Sequence, residues 1–366
     1  MKNIIRSRKF RKGILFLPVL LSFCLLGCSK KDTPVPPANI APTANAGADQ
    51  MITLPVNTVT LNGSGKDVDG TIASYQWLNI AGPIQYSIAT STQAQTTVSS
   101  LVQGTYQFVL KVTDSQGAIG RDTVTVIVNS KVWTMIFEDN FNTTGGFDNS
   151  KWSYSSRINS VAWAKYLTSS PDYASLDGSN LVLKMDNKVI SGDAVPYHSS
   201  GIETSGKFSF TYGKVEVRAK FNQGMGSWPA IWMMPASPVA YGGWPNSGEI
   251  DILEHVNNEN VIHQTVHNGA VTNSNGVSSV TKSTAYNVSD YNTYGMIWTE
   301  TKIEFYLNGT LTNTYTKPAN ATSVQWPYNK PFYLILNQSG GAGWPGPITD
   351  NHLPFEMLVD WVRVSQ

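Results

Sequence analysis

The segment Gly248-Glu249-Ile250-Asp251-Ile252-Leu253-Glu254-His255 constrains the fold more than any other stretch of the chain. Side chains alternate between the two faces of a strand, so Ile250 and Ile252 imply a core on one side and leave Glu249 and Asp251 on the other. Strict alternation would then turn Leu253 outward and Glu254 into the core. Burying an unpaired carboxylate costs several kcal/mol. A one-residue bulge at Ile252–Leu253 removes the conflict, sending Leu253 inward and bringing Glu254 onto the face of the other two acids. The segment therefore asks for a sheet with one buried face and one carboxylate-bearing face.

The rest of the sequence supplies such sheets. Only 14% of residues are charged, and no long Ala/Glu/Lys/Leu/Arg-rich stretch with a helical period occurs. In Gly213–Phe221, Val215, Val217, Ala219 and Phe221 alternate with Lys214, Glu216, Arg218 and Lys220. Ile303–Leu311 reads as a hairpin turning at Asn308-Gly309, and Phe332–Asn337 and Leu358–Val364 read as further strands. Residues 131–366 hold ten of the eleven tryptophans and are expected to form a large two-sheet sandwich. Residues 41–129 carry short alternating runs such as Thr105–Thr113 and Thr123–Val128 between turn signals, the pattern of an Ig-like sandwich of about seven strands. The expected class is all-β, an Ig-like domain followed by a larger jelly-roll sandwich. A length of 366 residues fits two such domains behind a short leader.

That leader, residues 1–27, has six basic residues, no acidic ones and an apolar run from Ile14, the layout of a secretory signal too short to be a good membrane span. It ends in Leu25-Leu26-Gly27-Cys28, which resembles a bacterial lipobox, with Cys28 the lipidated residue; an ordinary signal peptide is the alternative. Residues 28–40 read as a proline-rich tether. Both cysteines lie by residue 28, so the mature chain is expected to have no disulfide although exported. Without the leader's cations, 20 basic residues face 25 acidic ones, a net of −5, which disfavours nucleic acid as a partner. A neutral, hydroxyl-rich ligand fits better. The expected location is the outer membrane or cell surface, through an N-terminal lipid anchor, and the expected state is a monomer.

Clustered carboxylates on one strand are poor for stability and suited to glycoside hydrolysis. Retaining glycosidases need two carboxyl groups about 5–5.5 Å apart, one to attack the anomeric carbon and one to protonate the leaving oxygen. Clustering keeps the carboxyl that is costliest to ionise in its acid form. Calcium ligation and a solvated edge strand are the alternatives, although calcium prefers loops. Aromatic faces suit the apolar faces of sugar rings, which singles out Trp228 and Trp232 on one strand face, Trp244 just before the acids, and Trp344 in a glycine-rich loop. Trp298 and Trp361 lie inside apolar strands and are assigned to the core. Arg218 is a candidate for binding sugar hydroxyls. His263 and His267 have zinc-like spacing, but on a strand that spacing does not favour a metal; His267 is expected to bind substrate or support Glu254.

Two family resemblances sharpen these readings. Ala41–Gln50, Leu61–Gly65, Asp67–Trp77 and Val112–Gly117 resemble a PKD-type Ig-like domain, to which no chemistry is assigned. Ser205–Lys220, Gly226–Pro235, Trp244–His255, Pro331–Asn337, Gly340–Gly346 and Glu356–Val364 resemble glycoside hydrolase family 16, in the bulged Glu-x-Asp-x-x-Glu form of its laminarinase-like members. The resemblance implies a jelly roll with a concave substrate cleft and a double-displacement mechanism without a catalytic cofactor. In it Glu249 is the nucleophile, Asp251 its helper and Glu254 the acid/base. It also implies a structural calcium at Glu138, Gly178 and Asp360. The expected activity is that of an endo-β-1,3-glucanase. Mixed-linkage glucanase and endo-β-galactosidase acting on agar-type or mucin-type glycans are the alternatives, and a glucan-binding surface module is the non-enzymatic one. Loops 159–200 and 268–285 are expected to decide among substrates.

Overall fold

The computed structural model describes residues 37–366 apart from Pro238. The leader, Cys28 and most of the tether lie outside the described residues. The chain divides into two compact units, one ending at Lys131 and the other running Val132–Gln366.

The first unit has a four-stranded sheet in the order Gln50–Thr53, Ile119–Asn129, Gly104–Asp114, Ile72–Ala81, and a three-stranded sheet of Val59–Asn62, Gln95–Ser99 and Ser87–Ile88. Tyr106, Phe108, Leu110 and Val112 face inward as their alternation requires, around the buried Trp77. Its indole N–H donates to the Ala94 carbonyl at 3.1 Å, which satisfies a polar group that the core would otherwise strand.

The second unit is a sandwich of a nine-stranded and a seven-stranded sheet. In the larger, Gly213–Phe221 lies between Phe355–Ser365 and Asn292–Trp298, with the alternating burial that its sequence dictates. Lys302–Leu307 and Thr310–Thr316 form the expected hairpin, with Asn308 and Gly309 both at positive φ in its turn. The smaller sheet runs in the order Ser153–Tyr154, Ser200–Glu203, Phe332–Gly340, Ser227–Pro235, Glu249–Glu254, Val261–His267, Lys282–Ala285. Ile202, Leu334, Leu336, Ile231, Met233, Ile250, Ile252 and Val266 form its buried face, packed on Val215, Val217, Met296, Phe305 and Val362 of the other sheet. Every residue between these inward positions is thereby assigned to the opposite, cleft-side face.

Trp298 is a core residue, with its indole N–H on the Tyr328 carbonyl at 3.1 Å. Trp361 is not. A register shift opposite Arg218–Ala219 puts an extra residue into the Phe355–Ser365 strand, and the Trp361 ring lies partly exposed under the Arg363 guanidinium, 4.4 Å from its centroid.

Candidate active site

Gly248 enters the acid strand at φ +88°, and a Cβ there would lie 2.9–3.1 Å from Pro327, Tyr328 and Phe332, so the approach is open to glycine alone. The ladder then runs Trp232↔Asp251 and Ile231↔Leu253 on one side, and Asp251↔Thr265 and Glu254↔His263 on the other. Both neighbours lose one step against Ile252–Leu253, which is a β-bulge. Ile252 and Leu253 are both fully buried in the core, and Glu249, Asp251 and Glu254 share the opposite face.

Hydrogen bonds distinguish the acids. The Trp244 indole donates to Glu249 Oε2 at 2.7 Å, and the Trp228 indole donates to Glu254 Oε1 at 3.1 Å. Asp251 is almost fully buried between them, with Oδ2 3.3 Å from His267 Nε2. His267 is the ladder partner of Glu249, and its Nδ1 meets Thr272 Oγ1 at 3.2 Å. Ligand atoms of Glu249, Asp251 and His267 all lie within 4.8 Å of one another.

Such crowding makes ionisation costly. Burial, then the charge of Asp251, pushes the Glu249 carboxyl up to about 8. Burial, then the charge of Glu249, pushes Glu254 up to about 7. Burial, then Glu254, holds Asp251 well above the usual carboxylate range. The indole donors and His267 act in the opposite sense on both glutamates. The three acids therefore resist being ionised together near neutrality and titrate as one coupled group.

The candidate binding residues separate. Trp344, about half exposed, meets the Trp228 ring edge-on at 6.1 Å and the His263 ring at 4.9 Å, so Trp228, Trp244, Trp344 and His267 gather around the acids. Trp232 is on the same face but 7% exposed, because Trp163 packs edge-on against it at 4.9 Å and its indole N–H is taken by Asn337 Oδ1 at 2.8 Å. It supports the cleft floor, and the open ring there is Trp163. Arg218 belongs to the other sheet, on its outer face, where it bonds Asp360 and stacks on Tyr291. The expectation that it binds substrate at the acids is corrected accordingly.

The same contacts decide the calcium trio. Asp360 is neutralised by Arg218, and Glu138 Oε1 accepts from Arg363 Nε at 2.9 Å. Gly178 sits in a turn whose N–H bonds the Thr143 carbonyl. Each carboxylate already has a guanidinium, so these residues do not fit a calcium ion.

Sequence reasoning missed Trp163, Tyr333, Asn337 and Glu203. The last three are legible in retrospect, since each alternates with a buried Ile202, Leu334 or Leu336. Trp163 lies in an irregular loop with no periodic signal.

An open two-sheet sandwich whose cleft floor carries crowded, indole-bonded carboxylates defines the class of jelly-roll proteins built for glycoside chemistry. Comparison with known proteins gives the particular family. Residues 161–363 match Glycosyl hydrolases family 16, and residues 46–128 match a PKD domain. The chain belongs to glycosyl hydrolases family 16. It is 61% identical over 232 residues to a keratan-sulfate endo-1,4-beta-galactosidase of Sphingobacterium multivorum, covering 63% of this chain and 55% of that protein. It is 33% identical over 249 residues to a beta-glucanase of Rhodothermus marinus, covering 63% and 85%. The solved laminarinase of Rhodothermus marinus superposes with a TM-score of 0.60 at 31% identity, over 64% of this chain and 98% of that one. The chain thus spans about half the length of the galactosidase.

Proposed function

We propose that the protein is a retaining endo-glycosidase that cleaves internal β-galactosidic bonds of a galactose-containing polysaccharide. The observation that carries the chemistry is the bulged strand, which sets Glu249 and Glu254 on one face with separate indole donors. The 61% identity to the keratan-sulfate galactosidase supports the galactan over the laminarin-type glucan expected from the motif, whose supporting relatives stand near 30%.

In this reading Glu249 and Asp251 share a proton. With it on Asp251, Glu249 is the anion that attacks the anomeric carbon. Glu254 gives its proton to the leaving oxygen as the glycosidic bond breaks, leaving a glycosyl ester on Glu249. Glu254, now ionised, takes a proton from water, whose oxygen attacks the anomeric carbon and frees Glu249. Atoms and charge balance over the two displacements, and the product keeps the β configuration. Trp244 and His267 stabilise the anionic nucleophile, and Trp163, Trp228 and Trp344 offer ring faces to the sugars.

Secretion through the 1–27 leader and lipidation at Cys28 belong to the same reading, because a polysaccharide is met outside the cell. Protease shaving of intact cells that spared the protein would count against surface display.

The test is product release from keratan sulfate, laminarin, lichenan and agarose, with Glu249→Gln beside the wild type. Oligosaccharides from keratan sulfate, absent with the variant, are expected. Release from laminarin alone would keep the mechanism and replace the substrate. Silence on all four would favour the glycan-binding module.

A further inference from the structure

Glu203 is a carboxylate on the cleft floor that the mechanism does not use. Ladder pairing places it in one row with the acids, Glu203↔Ile335, Ile335↔Trp232, Trp232↔Asp251. Three strand spacings of ~4.8 Å put it roughly 14 Å from Asp251, along the direction in which a chain crossing the strands would lie. Ile202 is in the core, so Glu203 faces the cleft. The floor between the two sites is apolar, formed by Ile335 and Trp232 with Trp163 and Tyr333 packed on them.

Its bonding is one-sided. Ser155 Oγ donates to Oε2 at 2.8 Å. Neither a cation nor a further donor meets the carboxylate among the described residues, so Oε1 is left to the cleft. Burial raises its pKa, against the pull of Ser155. Tyr333, two residues from Ile335 on the same face of the strand between Glu203 and Trp232, has its phenol pushed up to about 12, by burial and then by the charges of Glu203 and Glu249. A partly buried carboxylate held by a single hydroxyl is costly to keep unless something else donates to it.

We propose that Glu203, oriented by Ser155, is the specificity-determining residue of a distal sugar subsite that accepts an unsubstituted hydroxyl and rejects a sulfate ester. A sugar hydroxyl is a donor and completes the carboxylate's hydrogen bonding. A sulfate ester offers only acceptors and a negative charge at the same place, so it loses the bond and adds like-charge repulsion. The enzyme would then bind sulfated galactan in the register that lays an unsulfated unit on Glu203.

This rests on the glycosidase reading, and the experiment separates the two. The wild type and Glu203→Gln are compared on keratan sulfate against its desulfated form, and on laminarin against laminarin sulfate, reading kcat and KM for each. Glutamine still accepts from Ser155, so the fold is preserved. For whichever pair the wild type cuts, it is expected to prefer the unsulfated member at least tenfold in kcat/KM. The variant is expected to reduce that preference at least fivefold, with KM of the sulfated member falling as the like charge is removed and KM of the unsulfated member rising as the acceptor weakens. A preference unchanged in an active variant overturns the proposal, as does an equal loss on both members. Cleavage of the laminarin pair alone would refute the galactan assignment and leave Glu203 to be judged on that pair. No cleavage of either pair would overturn the Glu203 proposal, and the glycosidase reading would then be judged on agarose and lichenan.

Discussion

The two sheets of the second unit treat charge in opposite ways. On the outer face of the nine-stranded sheet four acids have a basic partner, in Lys214–Glu216 at 2.7 Å, Lys302–Glu304 at 2.6 Å, Arg363–Glu138 at 2.9 Å and Arg218–Asp360. On the cleft face of the seven-stranded sheet, Glu249, Asp251, Glu254 and Glu203 have indoles, a serine and one histidine, and no lysine or arginine among the described residues. Exposed pairs of the first kind are worth at most about 1 kcal/mol each. Crowded acids of the second kind oppose folding and shift into the range where proton transfer is useful. Function is thus read from the carboxylates left without a counterion.

Neutralising one acid on each face should separate the two sheets most strongly. Glu249→Gln and Glu254→Gln are expected to lower kcat/KM by at least ~10³-fold, whereas Glu216→Gln should leave it within twofold; equal effects would dissolve the distinction. Deleting Leu253 goes next. Without the extra residue Glu249-Ile-Asp-Ile-Glu254 alternates strictly and Glu254 stays on the cleft face, so the deletion is expected to lose the buried leucine yet keep measurable turnover, as is Leu253→Ala at a cost of ~2–5 kcal/mol.

Stability should move the other way at the acids. A carboxyl whose pKa rises from 4.5 to about 8 on folding binds more protons in the folded state. Its contribution is fully present below pH 4.5 and is lost as pH climbs through 8. Glu249→Gln is therefore expected to be more stable than the wild type at pH 8, on the order of 3 kcal/mol by denaturant titration, with little difference at pH 5. A gain that is larger at pH 5 would contradict the assigned shift. In the same window the wild-type rate should fall as pH rises through about 7, where Glu254 loses its proton. The smallest effect belongs to the outer face, where Arg218→Ala should cost under ~1 kcal/mol and leave KM unchanged.

Where the sequence was informative, one periodicity fixed both faces of a strand. Ile250, Ile252 and Leu253 forced the bulge, and the bulge placed Glu254 with the other acids. The same rule identified the inward residues of Gly213–Phe221, yet it could say only that Arg218 points away from the core. Which sheet that polar side belongs to depends on long-range pairing, and Arg218 proved to lie with Asp360 on the other sheet. Trp361 escaped for a local reason, since its own strand carries an extra residue opposite Arg218–Ala219. Trp232 was placed on the right face, but its cover by Trp163 arises from a loop that alternation cannot position.

Double displacement by a carboxylate pair without counterions fixes the anomeric configuration of the first product. Proton NMR during the first minutes of keratan sulfate digestion, or of laminarin digestion if that is what the enzyme cuts, should show the β anomer appearing first and then mutarotating. Initial appearance of the α anomer would mean a single displacement by water and would contradict Glu249 as the nucleophile.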